Sequence, residues 1–208
     1  MEIARQLCLI DWYFVSSITR YEFTYYGPSV KRHQHTPNIL AVTKRFYYVA
    51  KWVSTEIILL RSAKERAKMI THFLEIAHHL HKFHNYAGLS GIILGLHFSP
   101  TSRLQKSFSL LSKKTQRLYS SLTSLTEIDF RRFNVEYRKL PKNTPRVPHV
   151  TPFLAFRMKT QDSLHTFMTK ERRRAREGEQ NREGDRERDG EEESEGEWEE
   201  RGGRERAG

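Results

Sequence analysis

The sequence predicts an all-α protein, and three observations carry that prediction. Apolar residues recur at steps of three and four along most of the chain before residue 126, the period of a helix face. Two capping boxes, Thr19-Arg20-Tyr21-Glu22 and Ser62-Ala63-Lys64-Glu65, mark helix starts, because a cap hydroxyl and a carboxylate three residues on satisfy free backbone N–H groups reciprocally. Strand signals, meaning alternating apolar and polar residues between turn residues, are almost absent.

Each element follows from local chemistry. Ile3, Leu7 and Ile10 fall on one face of a first helix. The Thr19 box opens a second. Thr36-Pro37 opens a third, since proline is tolerated at the first helical position; Ile39, Leu40, Phe46, Val49, Ala50, Val53 and Ile57 form its apolar stripe. After the Ser62 box, Met69, Ile70, Phe73, Ile76, Ala77, Leu80 and Phe83 define another stripe. Leu89 to Phe98 contains no charge, so its helix is apolar all round and belongs at the centre of the fold. Ser99-Pro100 breaks that helix, and a further one covers Lys113 to Leu125.

Charge divides the chain. Of 36 basic and 25 acidic residues among 208, residues 170–208 hold 11 and 15, a net of −4. The preceding 169 hold 25 and 10, a net of +15, together with all ten histidines. The tail is built almost wholly of Arg, Glu, Gly and Asp, with one aromatic, Trp198, and is expected to be disordered because it has too little apolar surface to bury. A single cysteine, Cys8, cannot form an internal disulfide, which fits a reducing compartment. No signal peptide is visible at the N-terminus, and no apolar run reaches the roughly 20 residues that span a bilayer. A cytoplasmic protein is expected, at most peripherally associated with membranes.

Three features invite chemistry. In "HHLHKFH", His78, His81 and His84 repeat at i,i+3, but His84 has drifted round the helix from His78, and a stable zinc site needs three or four converging protein ligands. These are expected to be surface and boundary histidines, with no metal bound. Lys31-Arg32, Lys44-Arg45 and Lys113-Lys114 lie near aromatics, as in nucleic-acid binders, yet they are scattered over several helices and accompany no recognition motif. A solvated surface, or one facing an acidic protein or anionic lipid, explains them as well. Cys8 sits among Leu7, Leu9 and Ile10, which predicts a buried, inert thiol. There is no G-x-S-x-G, P-loop or dinucleotide glycine pattern, so no enzyme site in the covalent sense is expected.

The order of four segments carries more. "EIARQLCLIDWYFVSSITRYEF", "PNILAVTKRFYYVAKWVSTEI", "ERAKMITHFLEIAHHLHKFHNYAGLSGIILGLHFSPTSRL" and "LLSKKTQRLY" together resemble the catalytic domain of the Ras-family guanine-nucleotide exchange factors, over nearly all of residues 1–156. The resemblance implies a helical bowl that grips the switch regions of a Ras-superfamily small GTPase, of the Ras or Rap branch, and promotes GDP release without a cofactor. It implies GTPase-binding positions at Thr43, Lys44 and Tyr47, at Ser90 and His97, and at Phe153. Ser90 stands where a larger apolar residue usually lines the pocket, and His97 stands where asparagine is common. Beyond Phe153 the pattern departs. Gln161 and Asp162 replace apolar residues of the family's helical hairpin, and Thr166 falls at its glutamate. The resemblance therefore divides the chain into a C-terminally incomplete exchange-factor domain at 1–158 and a divergent tail at 159–208. It leaves two alternatives: a GTPase-binding protein without exchange activity and, more remotely, a basic nucleic-acid-binding protein.

Overall fold

The computed structural model describes residues 1–27, 32–126, 131–160, 169–171 and 173. Met1–Met158 forms one compact unit and Lys159–Gly208 a second, of which residues 159, 160, 169–171 and 173 are described and are helical. Gln161, Asp162, Thr166 and most of the Arg/Glu/Gly tail lie outside the described residues.

The first unit is all-helical. Its elements are α1 (Glu2–Ser16), α2 (Arg20–Tyr25), α3 (Arg32–His35), α4 (Pro37–Ile58), α5 (Ala63–Lys82), α6 (Tyr86–His97), α7 (Ser99–Ser102), α8 (Gln105–Ser109), α9 (Lys113–Leu125) and α10 (Arg131–Lys139), followed by helical residues 151–158. Both capping boxes form: Thr19 and Ser62 accept from the backbone N–H of Glu22 and Glu65, and each carboxylate accepts from its cap residue's N–H. Asn85 caps α6 through Gly88 N–H, and Ser112 caps α9 through Thr115 N–H. No β-strand occurs among the described residues. One isolated parallel bridge, with Tyr86 N–H on Val147 O and Val147 N–H on His84 O at 2.9 Å each, pins the 141–150 segment to the turn between α5 and α6. His84 turns the chain there in a left-handed conformation, φ 55°.

Helix α6 is the centre, packed against α1, α4, α5 and α7. Tyr86, Leu89, Ile92, Ile93 and Leu96 are buried within a core shared with Val49, Val53 and Ile57 of α4 and Ile70, Phe73, Leu74 and Leu80 of α5. Its apolar composition all round is explained by helices on several sides. The α4–α6 crossing is close because α6 presents glycine to α4. A Cβ on Gly95 would lie 2.5 Å from the Ala50 carbonyl oxygen, and one on Gly91 would lie 3.1 Å from Val49 Cγ1. A second apolar cluster of Ile39, Val42, Val150 and Leu154, joined by Phe14, Val15, Ile18 and Tyr26, fastens the start of α4 to the 151–158 helix.

Helix α1 is rotated from the face its aliphatic residues predict. Leu7 is buried, but Ile3 and Ile10 are 42% and 41% exposed, and the inward face is Ala4, Leu7 and Asp11. Polar bonding sets this rotation. Asp11, 4% exposed, accepts from Arg45 Nε at 3.2 Å and from Asn85 Nδ2 at 2.8 Å, so α1 must turn its carboxylate to α4 and α6. Cys8 consequently sits half-buried at the edge of the core, where desolvation raises its thiol pKa. The helix predicted to break at Ser99-Pro100 does end at His97, and a short turn, α7, starts at Ser99 with Pro100 in its first turn.

Candidate functional site

The N-terminal end of α4 is held from outside itself. Thr36, its cap residue, supplies no side-chain cap bond. The carboxylate of Glu22 takes that place: Oε2 accepts from the backbone N–H of Asn38 (2.8 Å) and Ile39 (2.9 Å), and Oε1 accepts from Asn38 Nδ2 (2.6 Å). Glu22 is 2% exposed and also serves the Thr19 box, so one side chain caps two helices. Burial opposes its charge, but these hydrogen bonds outweigh that and hold the carboxyl below its ordinary pKa. An anion at a helix N-terminus is favoured further by the positive end of the helix dipole.

Downstream on α4, Thr43, Lys44 and Tyr47 run from the edge of the buried stripe out to solvent. Thr43 is half-buried and donates its hydroxyl to Ile39 O at 2.9 Å; Lys44 is exposed; Tyr47 is 49% exposed, with its ring edge-on to Phe46. On α6, Ser90, Leu94 and His97 form one helical stripe beside the glycine face. Ser90 is buried and His97 is exposed, with its imidazole 5.9 Å from the Tyr119 ring of α9. Partial burial holds the His97 pKa below its usual value, so the ring is neutral at pH 7.

The two stripes face one side. Gly91 meets Phe46 and Val49, and Gly95 meets Ala50 and Val53, so α4 and α6 run in the same direction. With that pairing, helical periodicity puts Thr43 and Tyr47 of α4 and Ser90, Leu94 and His97 of α6 along the same edge of the pair. Phe153 stands apart. It is 46% exposed on the 151–158 helix, whose Leu154 packs on Ile39 and Val42 near the start of α4.

Sequence reasoning missed the polar joint that ties α1 to this helix pair: Asp11, Arg45 and Asn85, drawn from α1, α4 and the cap of α6. Desolvation raises the Asp11 pKa, against hydrogen bonds from Asn85 and Arg45 and the attraction of the guanidinium. The visible trace was one aspartate inside the apolar run "LCLIDWYF". The histidine-rich segment does not converge: His81 bonds Glu136 of α10 at 2.6 Å, while His78 lines a cleft towards α9. Among the described residues no group of three or more His, Cys, Asp or Glu could hold a metal ion.

A family profile decides the ancestry. The RasGEF domain matches residues 2–183. The chain belongs to the RasGEF domain family. Curated relatives agree: "Ras guanine nucleotide exchange factor A" of Dictyostelium discoideum is 37% identical over 147 residues, covering 69% of this chain and 24% of that protein. "Ras guanine nucleotide exchange factor Q" of the same organism is 33% identical over 162 residues, 76% of this chain and 12% of that protein. "Ras-specific guanine nucleotide-releasing factor RalGPS1" of Danio rerio is 32% identical over 156 residues, 74% of this chain and 27% of that protein. The chain spans between about one eighth and about a quarter of the length of these relatives. The RasGEF match runs 25 residues beyond Met158, past Gln161, Asp162 and Thr166. No helix among the described residues is long and apolar enough to cross a membrane.

Proposed function

We propose that this RasGEF domain is a guanine-nucleotide exchange factor for a Ras-superfamily small GTPase, acting as a regulator with no covalent chemistry of its own. The observation that carries the reading is the RasGEF match over residues 2–183. The shared edge of α4 and α6 supports it. It offers a surface-exposed tyrosine and a neutral imidazole beside half-buried Thr43 and buried Ser90, an amphipathic strip suited to a protein switch segment with one aromatic and a few polar groups. Thr43, Tyr47, Ser90 and His97 are its contact residues, with Lys44 on the exposed face of α4 and Phe153 on the 151–158 helix as separate contacts. The mechanism is linkage. A factor that binds the nucleotide-free GTPase more tightly than the loaded one weakens nucleotide binding by the same ratio. No cofactor enters this scheme.

The GTPase is of the Ras or Rap branch. The names of the three relatives all contain Ras, and RalGPS1 puts Ral in the test panel as well. The protein acts in the cytoplasm, peripherally at membranes. The functional unit is residues 1–158, with 159–208 as a separate charged segment. A second reading is binding without exchange, favoured by Gln161, Asp162 and Thr166 at hairpin positions. Titration of the full chain with nucleotide-free and GDP-loaded Ras, Rap and Ral separates them. Exchange requires tighter binding to the nucleotide-free form of at least one of them. Equal affinity for both forms leaves binding only, and no binding to any removes both readings. Tyr47→Ala is expected to weaken binding about tenfold or more, as loss of an aromatic interface anchor does.

A further inference from the structure

We infer that the cleft between α5 and α9 is a binding site for a phosphate-bearing anion. The cleft has a volume of about 540 Å3 and is lined by Thr71, Glu75, His78 and His79 of α5 and by Lys114, Thr115 and Leu118 of α9. It shares no residue with the proposed GTPase contacts, and the inference does not depend on the exchange reading.

Three observations converge. First, the lining gathers one permanent cation, Lys114, and two imidazoles, His78 and His79, whose rings lie 6.0 Å apart, from two different helices. Two adjacent imidazoles and an ammonium suit a dianion, which can take charge-assisted hydrogen bonds from all three. Second, the sequence places no counter-charge where α9 begins. Its first turn holds Lys113 and Lys114 and no acidic residue, although the positive end of the helix dipole disfavours cations there. Third, the positive field is felt inside the cleft. His78 is held below its ordinary pKa by burial first, then by Lys82, His79 and His81 of its own helix and Lys114 of α9. Glu75 is the one carboxylate on the wall, and His81, the remaining neighbour, is bonded to Glu136 of α10. At neutral pH the lining charges of Glu75 and Lys114 cancel. An arriving dianion favours the protonated form of His78, so binding and protonation reinforce each other. Thr115 adds a hydroxyl that shares a 2.9 Å hydrogen bond with Ser112 and offers its one proton to a ligand oxygen when Ser112 is the donor in that bond.

The chemistry fits a free phosphomonoester and a lipid phosphate headgroup alike, and the test has an arm for each. The full chain is titrated with inorganic phosphate at pH 7 while the His78 ring protons are followed by NMR. The site predicts a saturable shift, a rise in the apparent His78 pKa at saturation, and a loss of affinity of about tenfold in Lys114→Ala, with Lys51→Ala, on the exposed face of α4, unchanged. In the second arm, vesicles of phosphatidylcholine with and without phosphatidic acid are sedimented with the same proteins. Capture that needs both phosphatidic acid and Lys114 assigns the lipid source; a response to soluble phosphate alone assigns the free one. A His78 shift that stays linear in phosphate, or responses in both arms that Lys114→Ala leaves intact, would overturn the inference.

Discussion

At pH 7 the His149 imidazole is neutral, because burial against Phe46, 4.8 Å away between ring centroids, pushes its pKa down to about 4. The unfolded chain protonates this group near pH 6.5, so the folded state is disfavoured as pH falls from about 6.5 towards 4, and the stability is fully present above that window. About 3 kcal/mol is at stake. Urea unfolding at pH 7 and pH 4.5 should show a large acid loss in the natural chain and a markedly smaller one in His149→Phe; equal losses would contradict the assignment. Glu22 makes the opposite kind of demand, since its charge is needed. Glu22→Ala should cost about 2 kcal/mol, measured by chemical unfolding, by removing the cap of α4 and the carboxylate half of the α2 capping box. Half of Glu22's role was legible in the sequence, because Thr19-x-x-Glu22 is a local pattern. Its bonds to Asn38 and Ile39 were not, since nothing local announces a contact sixteen residues away. The Asp11–Asn85 bond spans 74 residues and left only an aspartate out of place in an apolar helix.

Helices were legible where they bury a continuous stripe. The stripes of α4 and α5 and the span of α9 follow from periodicity and caps, because each lays one long face on the core. Helix α10 was not legible: in "RRFNVEYRK" Phe133 is the one deeply buried side chain among those described, too little to create a pattern. Helix α1 misled in phase, since Ile3 and Ile10 of its predicted stripe are exposed, Leu7 alone of the three is buried, and a carboxylate sets its rotation. Two glycines of "GLSGIILG", Gly91 and Gly95, are the contact surface for α4. Gly95→Ala should therefore destabilise by about 1–3 kcal/mol, since its methyl meets a backbone carbonyl that cannot move aside. Gly91→Ala should cost less, because its methyl would press on the Val49 side chain instead. Thermal unfolding of the two variants should rank them in that order, and the reverse ranking would contradict the described crossing.

At the scale of the whole molecule, all-α architecture was readable from the sequence and so was kinship with the exchange factors, through motifs in order. The placement of the predicted contact residues required coordinates. Thr43, Tyr47, Ser90 and His97 come to one edge because α4 and α6 run the same way with glycine between them, and Phe153 lies on another segment. What the α4–α6 edge does to a GTPase is the central claim. The measurement that tests it most directly is release of a fluorescent GDP analogue from Ras, Rap and Ral proteins, with and without the full chain. The account predicts faster release from at least one of them in proportion to added protein, with the acceleration lost in Tyr47→Ala. Release at the spontaneous rate from every GTPase tested, by a sample whose circular dichroism shows the helical fold, would contradict it.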